Sequence, residues 1–350
     1  MIARAERWLF RPAPPTRLAI LRILVGVYAV IFLISRFPNF WSSADLPDRQ
    51  FEPVGVLVPV GGPWSSTLAR ALVIIAIPLG VLFISGRWFR VVGPAFSLAF
   101  LVVTTYRLSW GHVIHTEHLP ALHLLVLGFA PSAAAWSWGG RRDARAQPRP
   151  DDHERFSFPV QVMALITIMT YMLAGIAKLR NGGGDWLVGD VLRNQVAYDN
   201  LRKELLGSWH SPLGGRAVRY GWMFPPFAIA TVVVELGAPI AFLGGRWRTR
   251  WVAAAWGFHV GIAALMWISF PYPLVGLAYA PLFRVERLGE RLIRRGRWPW
   301  RRGDLQGSPR ESSAEPHSRP LADVQFRAER REAGTHSPRM PRHRFGAAGH

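Results

Sequence analysis

Apolar residues fall in long runs along this chain. Seven stretches approach the roughly 20 apolar residues that span a bilayer: Leu18–Ser35, Leu68–Ser85, Val91–Tyr106, Leu119–Ala135, Pro159–Leu179, Pro226–Leu243 and Trp251–Phe270. An eighth, Tyr272–Phe283, is short and holds Pro273 and Pro281, so it reads as a last span or as a re-entrant segment. A buried soluble helix would explain any one run. Seven together, separated by Trp- and Arg-rich loops, predict an all-α fold: a polytopic integral membrane helix bundle with about eight transmembrane helices. Trp88, Trp110, Trp136, Trp138, Trp247 and Trp251 sit at run edges, where an interfacial aromatic belt belongs. The first run is too long for a signal peptide and no small-residue cleavage site follows it, so it reads as an uncleaved first helix.

The charge sharpens this picture. The 350 residues carry a formal net charge of +20, which alone would suggest a nucleic-acid binder. With half the residues apolar, 16 Trp and only 18% charged residues, nucleic acid is excluded as a partner in favour of the lipid bilayer. The absence of Cys removes disulfides, thiol catalysis, iron–sulfur clusters and Cys-based zinc sites. With eight spans and a cytoplasmic N-terminus, the inner segments hold 30 lysines and arginines against 9 in the outer ones. That positive-inside bias predicts a multi-pass protein of the plasma membrane with both termini cytoplasmic.

Two regions follow. Residues 1–285 form the transmembrane domain. Residues 286–350 form a basic tail, with almost no aliphatic residues beyond Arg295, predicted to be disordered and suited to anionic lipid. The segment from Arg284 to Arg295 has the pattern of a short basic amphipathic helix on the inner leaflet. Between the fifth and sixth spans, Gly182, Gly183 and Gly184 form a hinge before a predicted interfacial amphipathic helix, Trp186–Leu206.

Ionisable residues inside a bilayer are costly, and each is a candidate for function. Lys178 closes the fifth span. It reads as a snorkelling helix-end lysine, or as a partly desolvated amine able to act as a base. Glu235 lies in the middle of the sixth span and must be protonated or paired inside the bundle; Arg22 is the partner that sequence suggests. His123 and His259 fit helix–helix hydrogen bonds. His112, His115 and His118 recur every third residue, as metal ligands on one helical face would. Without a supporting Cys or carboxylate pattern they read as an interfacial polar rim, and no metal is predicted.

The fifth span carries a resemblance. Tyr171-x-x-Ala174-Gly175-Ile176-x-Lys178-Leu179, followed by Asp185-Trp186-Leu187-x-Gly189, resembles the vitamin K-dependent gamma-carboxylase family. More broadly it is similar to the HTTM (horizontally transferred transmembrane) family, which has many bacterial members. Ser109-Trp110, Glu235-Leu236-Gly237-Ala238, Phe258-His259 and Pro281-Leu282-Phe283 fall in the family's order. The resemblance covers about residues 18–285. It implies that Lys178 is the base on a quinol, a vitamin K-like cofactor. Glu235, His259 and His115 join the catalytic set, with His112 and His118 left open beside His115. Tyr171, Gly175 and Trp186 are implied on the cofactor side.

The carboxylase has a large soluble domain that recognises its peptide substrate, and nothing comparable is evident here. The expectation is therefore chemistry on an apolar small molecule, quinol-like or lipid-like, rather than protein carboxylation. The competing expectation is a non-enzymatic membrane module for lipid or small-molecule binding or transport, with Glu235 and His259 lining a polar cavity. Enzyme or not, and in what oligomeric state, stays open at this point.

Overall fold

Where the chain stays apolar for some twenty residues, the computed structural model is helical. It describes residues 12–111, 116–138 and 153–287, and these contain helices and no strand. The chain divides into two units, Met1–Arg301 and Arg302–His350. The second unit, and with it the expected tail and inner-leaflet helix beyond residue 287, lies outside the described residues.

Among the described residues, eleven α-helical elements run in the order α1 (Pro15–Ser35), α2 (Phe37–Ser43), α3 (Ser66–Ser85), α4 (Phe89–Leu108), α5 (His118–Phe129), α6 (His153–Leu187, two helical stretches that meet at Gly183), α7 (Asp190–Leu205), α8 (Pro212–Ala217), α9 (Phe224–Leu236), α10 (Gly245–Met266) and α11 (Pro271–Leu274). Of the eight expected spans, four become helices long and apolar enough to cross a membrane: α1, α3, α4 and α6. The others depart for local reasons. The fourth run ends early, because Ala130 precedes Pro131 and takes an extended backbone, which leaves α5 only 12 residues. The sixth run breaks after Leu236, since Pro239 has no N–H to offer the carbonyl four residues back. It continues as a 3₁₀ segment, Ala238–Leu243. The eighth is not one helix but α11 and a second 3₁₀ segment, Leu277–Leu282, joined through Gly276 at φ 80°. The 22-residue α10 carries Arg246, Arg248 and Arg250 in its first two turns.

The helices alternate in direction. The N-terminal end of the bundle gathers the starts of α1, α4, α6 and α10 with the ends of α3 and α5. The opposite end gathers α7, α8 and the start of α9. Ile31, Ile74, Ile75, Val81, Val91 and Leu173 are exposed along the helices, as side chains in contact with lipid tails would be. The core between helices is apolar and aromatic, with Phe32, Phe83, Phe96 and Phe100 in a continuous chain of ring contacts. Gly93 and Gly128 let α4 and α5 touch backbone to backbone; a Cβ on Gly93 would lie 2.5 Å from the Gly128 carbonyl oxygen.

Polar side chains lock this core. Arg22 is fully buried and donates to four backbone carbonyls: Ser132 (2.8 Å), Trp136 (2.6 Å), Ile84 (3.3 Å) and Ala135 (3.5 Å). It thereby ties α1 to the ends of α3 and α5. His123 reaches Tyr272 Oη at 2.7 Å through Nδ1. Its Nε2 faces the Met163 carbonyl at 3.1 Å, which requires Nε2 to carry the proton and Tyr272 to donate to Nδ1.

The N-terminal end is closed by Arg17, whose guanidinium donates Nε (2.8 Å) and an Nη (2.6 Å) to the two carboxylate oxygens of Glu286. Burial pushes the Glu286 carboxyl up, but the Arg17 fork outweighs it and leaves the group below its ordinary range. A depressed folded value stabilises above the unfolded carboxyl range, and that stabilisation is lost as pH falls through the folded value. The difference in thermal unfolding temperature between wild type and Glu286→Gln should therefore be clear near neutral pH and shrink toward zero in acid. A difference that holds constant down to about pH 3 would show that the fork contributes nothing through ionisation.

Candidate functional site

Helix α6 presents Tyr171, Gly175 and Lys178 on one face, four and three residues apart. That face meets α9, whose buried stripe is Ala228, Val232 and Glu235. Close contact requires Gly175 to lack a side chain, because a Cβ there would lie 2.9 Å from Leu236 Cδ2 and 3.0 Å from Glu235 Cβ. Trp251 of α10 donates its indole N–H to the Val234 carbonyl at 2.9 Å, which fixes the level of α9 against α10 beside Glu235.

At this crossing Lys178 Nζ donates to Glu235 Oε1. The Lys178 side chain is 19% exposed and that of Glu235 only 3%. Two rings flank the amine, Trp186 and Phe258, each with its centroid 5.3 Å from Nζ. The pair is thus clothed by one carboxylate and two aromatic faces. Glu235 Oε2 and Trp186 Nε1 are both buried and have no hydrogen-bond partner among the described residues. One is an acceptor and the other a donor, and both belong to side chains that touch the same amine.

The structure changes two expectations here. Glu235 pairs with Lys178 and not with Arg22, which is occupied by carbonyls near the N-terminal end. α6 breaks at Gly183 (φ 50°, ψ −133°), so Lys178 stands five residues before the end of its first helical stretch, with its amine turned to Glu235. The bend folds Trp186 back over the amine. The expected helix Trp186–Leu206 begins later, at Asp190, because Gly189 turns the chain at φ 87°. A Cβ on Gly189 would meet Pro225 N and the Phe224 carbonyl carbon at 2.5 Å, so only glycine fits this turn.

The remaining site residues divide. His259 is buried and its Nε2 is hydrogen-bonded to Tyr171 Oη at 2.8 Å. Tyr171 Oη also meets Tyr279 Oη at 2.7 Å. This cluster lies two helical turns from Lys178 on the same face of α6, so Tyr171, Gly175, Lys178, Trp186, Glu235 and His259 form one contiguous region. His112 and His115 lie outside the described residues. His118 is exposed, and Glu117 accepts from Arg107 at 3.2 Å. No group of residues able to hold a metal occurs among the described residues. Sequence reasoning missed Tyr279; its signal was a tyrosine within the apolar stretch that closes the domain.

A model of the HTTM domain matches residues 10–286. The chain belongs to the HTTM family. The resemblance to the carboxylase membrane domain is consistent with that membership, and the apolar helices agree with an HTTM membrane protein. No curated protein and no solved structure matches the chain.

In this HTTM domain the buried pair should behave as a unit. Removing one partner of a buried ion pair leaves the other uncompensated and costs about 3–5 kcal/mol, whereas removing both is far milder. Lys178→Met and Glu235→Leu should each lower the unfolding temperature in detergent, and the double variant should recover most of the loss. Additive losses in the double variant would show that the two groups are not energetically coupled.

Proposed function

We propose that this HTTM protein is a multi-pass membrane enzyme in which Lys178 takes a proton from a weakly acidic hydroxyl of an apolar molecule, quinol-like or lipid-like. The observation that carries this reading is the juxtaposition of an amine, a buried carboxylate with an unused oxygen and a buried indole N–H, the last two without a partner among the described residues. A donor and an acceptor left unpaired in a buried site are costly unless a ligand uses them. A hydroxyl-bearing ring suits both, and the flat faces of Trp186 and Phe258 suit the ring itself.

A bound quinol supplies an acidic hydroxyl and a pair of electrons. Everything else falls to the protein. The hydrogen bond from Lys178 Nζ to Glu235 Oε1 is the path by which the ammonium proton leaves. Lys178 Nζ is then a free-base amine able to accept a proton. The indole N–H of Trp186 is placed to donate to a developing oxyanion. Tyr171, held by His259 and Tyr279, keeps the adjoining turn of α6 in register. The alternative of a polar cavity lined by Glu235 and His259 has less support, since one oxygen of Glu235 is taken by Lys178 and His259 Nε2 by Tyr171.

Lys178→Met should lower quinol turnover in proteoliposomes by at least roughly 100-fold, the range of general-base removal. Lys178→Arg should fail as well, because a guanidinium stays protonated. Turnover unchanged in both removes Lys178 from the mechanism.

The same reading places the protein in the plasma membrane with the N-terminal end of the bundle cytoplasmic. Among the described residues that end carries nine arginines and two carboxylates, Glu154 and Glu286. The opposite end carries ten basic and eight acidic residues. The chain has no Cys, so single introduced cysteines report topology without background. An impermeant maleimide added to intact cells should label Trp209→Cys and spare Arg246→Cys; the reverse pattern would invert the orientation.

A further inference from the structure

The length of α10 poses a problem at the end of the bundle opposite the Arg17–Glu286 fork. Arg246, Arg248 and Arg250 in its first two turns keep the start of the helix out of the hydrocarbon. From Trp251 to Met266 the helix rises roughly 22 Å, against about 30 Å of hydrocarbon, and any tilt shortens its reach. α10 therefore ends inside the far leaflet, where the last four carbonyls of a helix have no water to bond.

All four are answered by protein. The Trp267 N–H donates to the Ala263 carbonyl at 2.9 Å. Ser211 Oγ donates to the Ala264 carbonyl, Asn200 Nδ2 to that of Leu265 at 2.9 Å and Lys203 Nζ to that of Met266 at 2.6 Å. Asn200 and Lys203 belong to α7, and Ser211 caps the start of α8. α8 sits directly on the end of α10, since a Cβ on Gly214 would lie 1.9 Å from the Leu265 carbonyl oxygen. The charge of Lys203 is matched by Asp199 Oδ2 at 2.6 Å.

These contacts turn α7 inside out. Asp199, Asn200 and Lys203 face the bundle beside the buried Val196. Tyr198, Leu201 and Leu205 share the other face, three and four residues apart, and are 69%, 56% and 78% exposed. A helix lying on a water surface has the opposite pattern. We infer that α7 lies within the leaflet at this end and that lipid covers its outward face. The lipid-facing surface of the bundle continues there. α9 packs against α7 through Ala228, Val232 and Phe224, and it exposes Phe227, Ile229 and Val233. Asn194 and Gln195 in the early turns of α7, and Glu204 at its flank, are exposed and reach the headgroups. The loop that follows carries Ser208, Trp209 and His210 up to headgroup level, where an indole meets water. This placement takes nothing from the chemistry at Lys178 and holds for either orientation of the bundle.

The test uses the full-length protein in vesicles of phosphatidylcholine and phosphatidylglycerol. Leu201→Cys, Leu205→Cys and Gln50→Cys each carry a nitroxide; Gln50 is exposed in the polar 3₁₀ turn Asp48–Gln50. Collisions with oxygen, which concentrates in hydrocarbon, are compared with those of a water-soluble nickel complex. The oxygen-to-nickel ratio at positions 201 and 205 should exceed that at position 50 several-fold. Both leucines are exposed, so the labels leave the packing intact, and Tyr198→Cys gives a third reading of the same face. A ratio at these positions equal to that at position 50 puts the face in water and overturns the proposal. Exclusion of both reagents shows that protein covers the face, a second copy where the labels broaden one another, and overturns it as well.

Discussion

An amine and a carboxylate buried side by side between α6 and α9 set the terms for the rest of this fold. Glu235 lies eleven residues into α9, roughly 16 Å along the helix from its start. A carboxylate that deep cannot reach headgroup water, so a partner must be delivered to it from another helix. The delivery depends on several backbone choices at once. Gly175 lets α6 approach, Trp251 holds α9 at the right level through the Val234 carbonyl, and Pro239 ends α9 just beyond the pair. The bend at Gly183 then returns Trp186 over the amine. Each device is inexpensive alone; together they bring the amine to the carboxylate.

The other buried polar groups obey the same rule by different means. Arg22 is answered by carbonyls of irregular backbone, and Trp136 adopts a left-handed φ of 50° in the turn that aims one of them. His123 is answered by Tyr272 and a helix carbonyl, and Tyr171 by His259 and Tyr279. These locks join the 3₁₀ segment Leu277–Leu282 and α11 to the main helices. Both are too short to be held by helix propensity, and packing with such hydrogen bonds holds them instead. That is why a stretch with two prolines can close the domain without spanning it.

How much of this was legible in the sequence depends on whether the signal was local. The ends of α1, α3 and α4 lie within a few residues of the apolar runs, because length and apolarity decide a spanning helix on their own. The Ala130-Pro131 stop on α5 was also local, yet hydropathy averages across it and overstates that run. Lys178 and Glu235 were both conspicuous as charges in apolar helices. Their mutual pairing was not, since residues 57 apart in sequence meet only through helix packing. Arg22 seemed an equally good partner by charge; the carbonyl cage that occupies it comes from turns that carry no periodic signal. Trp186 was read as the start of an amphipathic helix because its neighbours are apolar, whereas Gly189 moves the helix start and leaves Trp186 over the site.

The two ends of the bundle differ in charge. A strongly basic N-terminal end and a nearly neutral opposite end place Lys178 and Glu235 in the half farther from the dense positive charge. The rings of Trp186 and Phe258 and the α9 stripe of Ala228 and Val232 surround the pair, so each group depends on the other for its hydrogen bond. The dense basic charge and the buried pair therefore occupy different parts of the bundle, and neither has to answer the other.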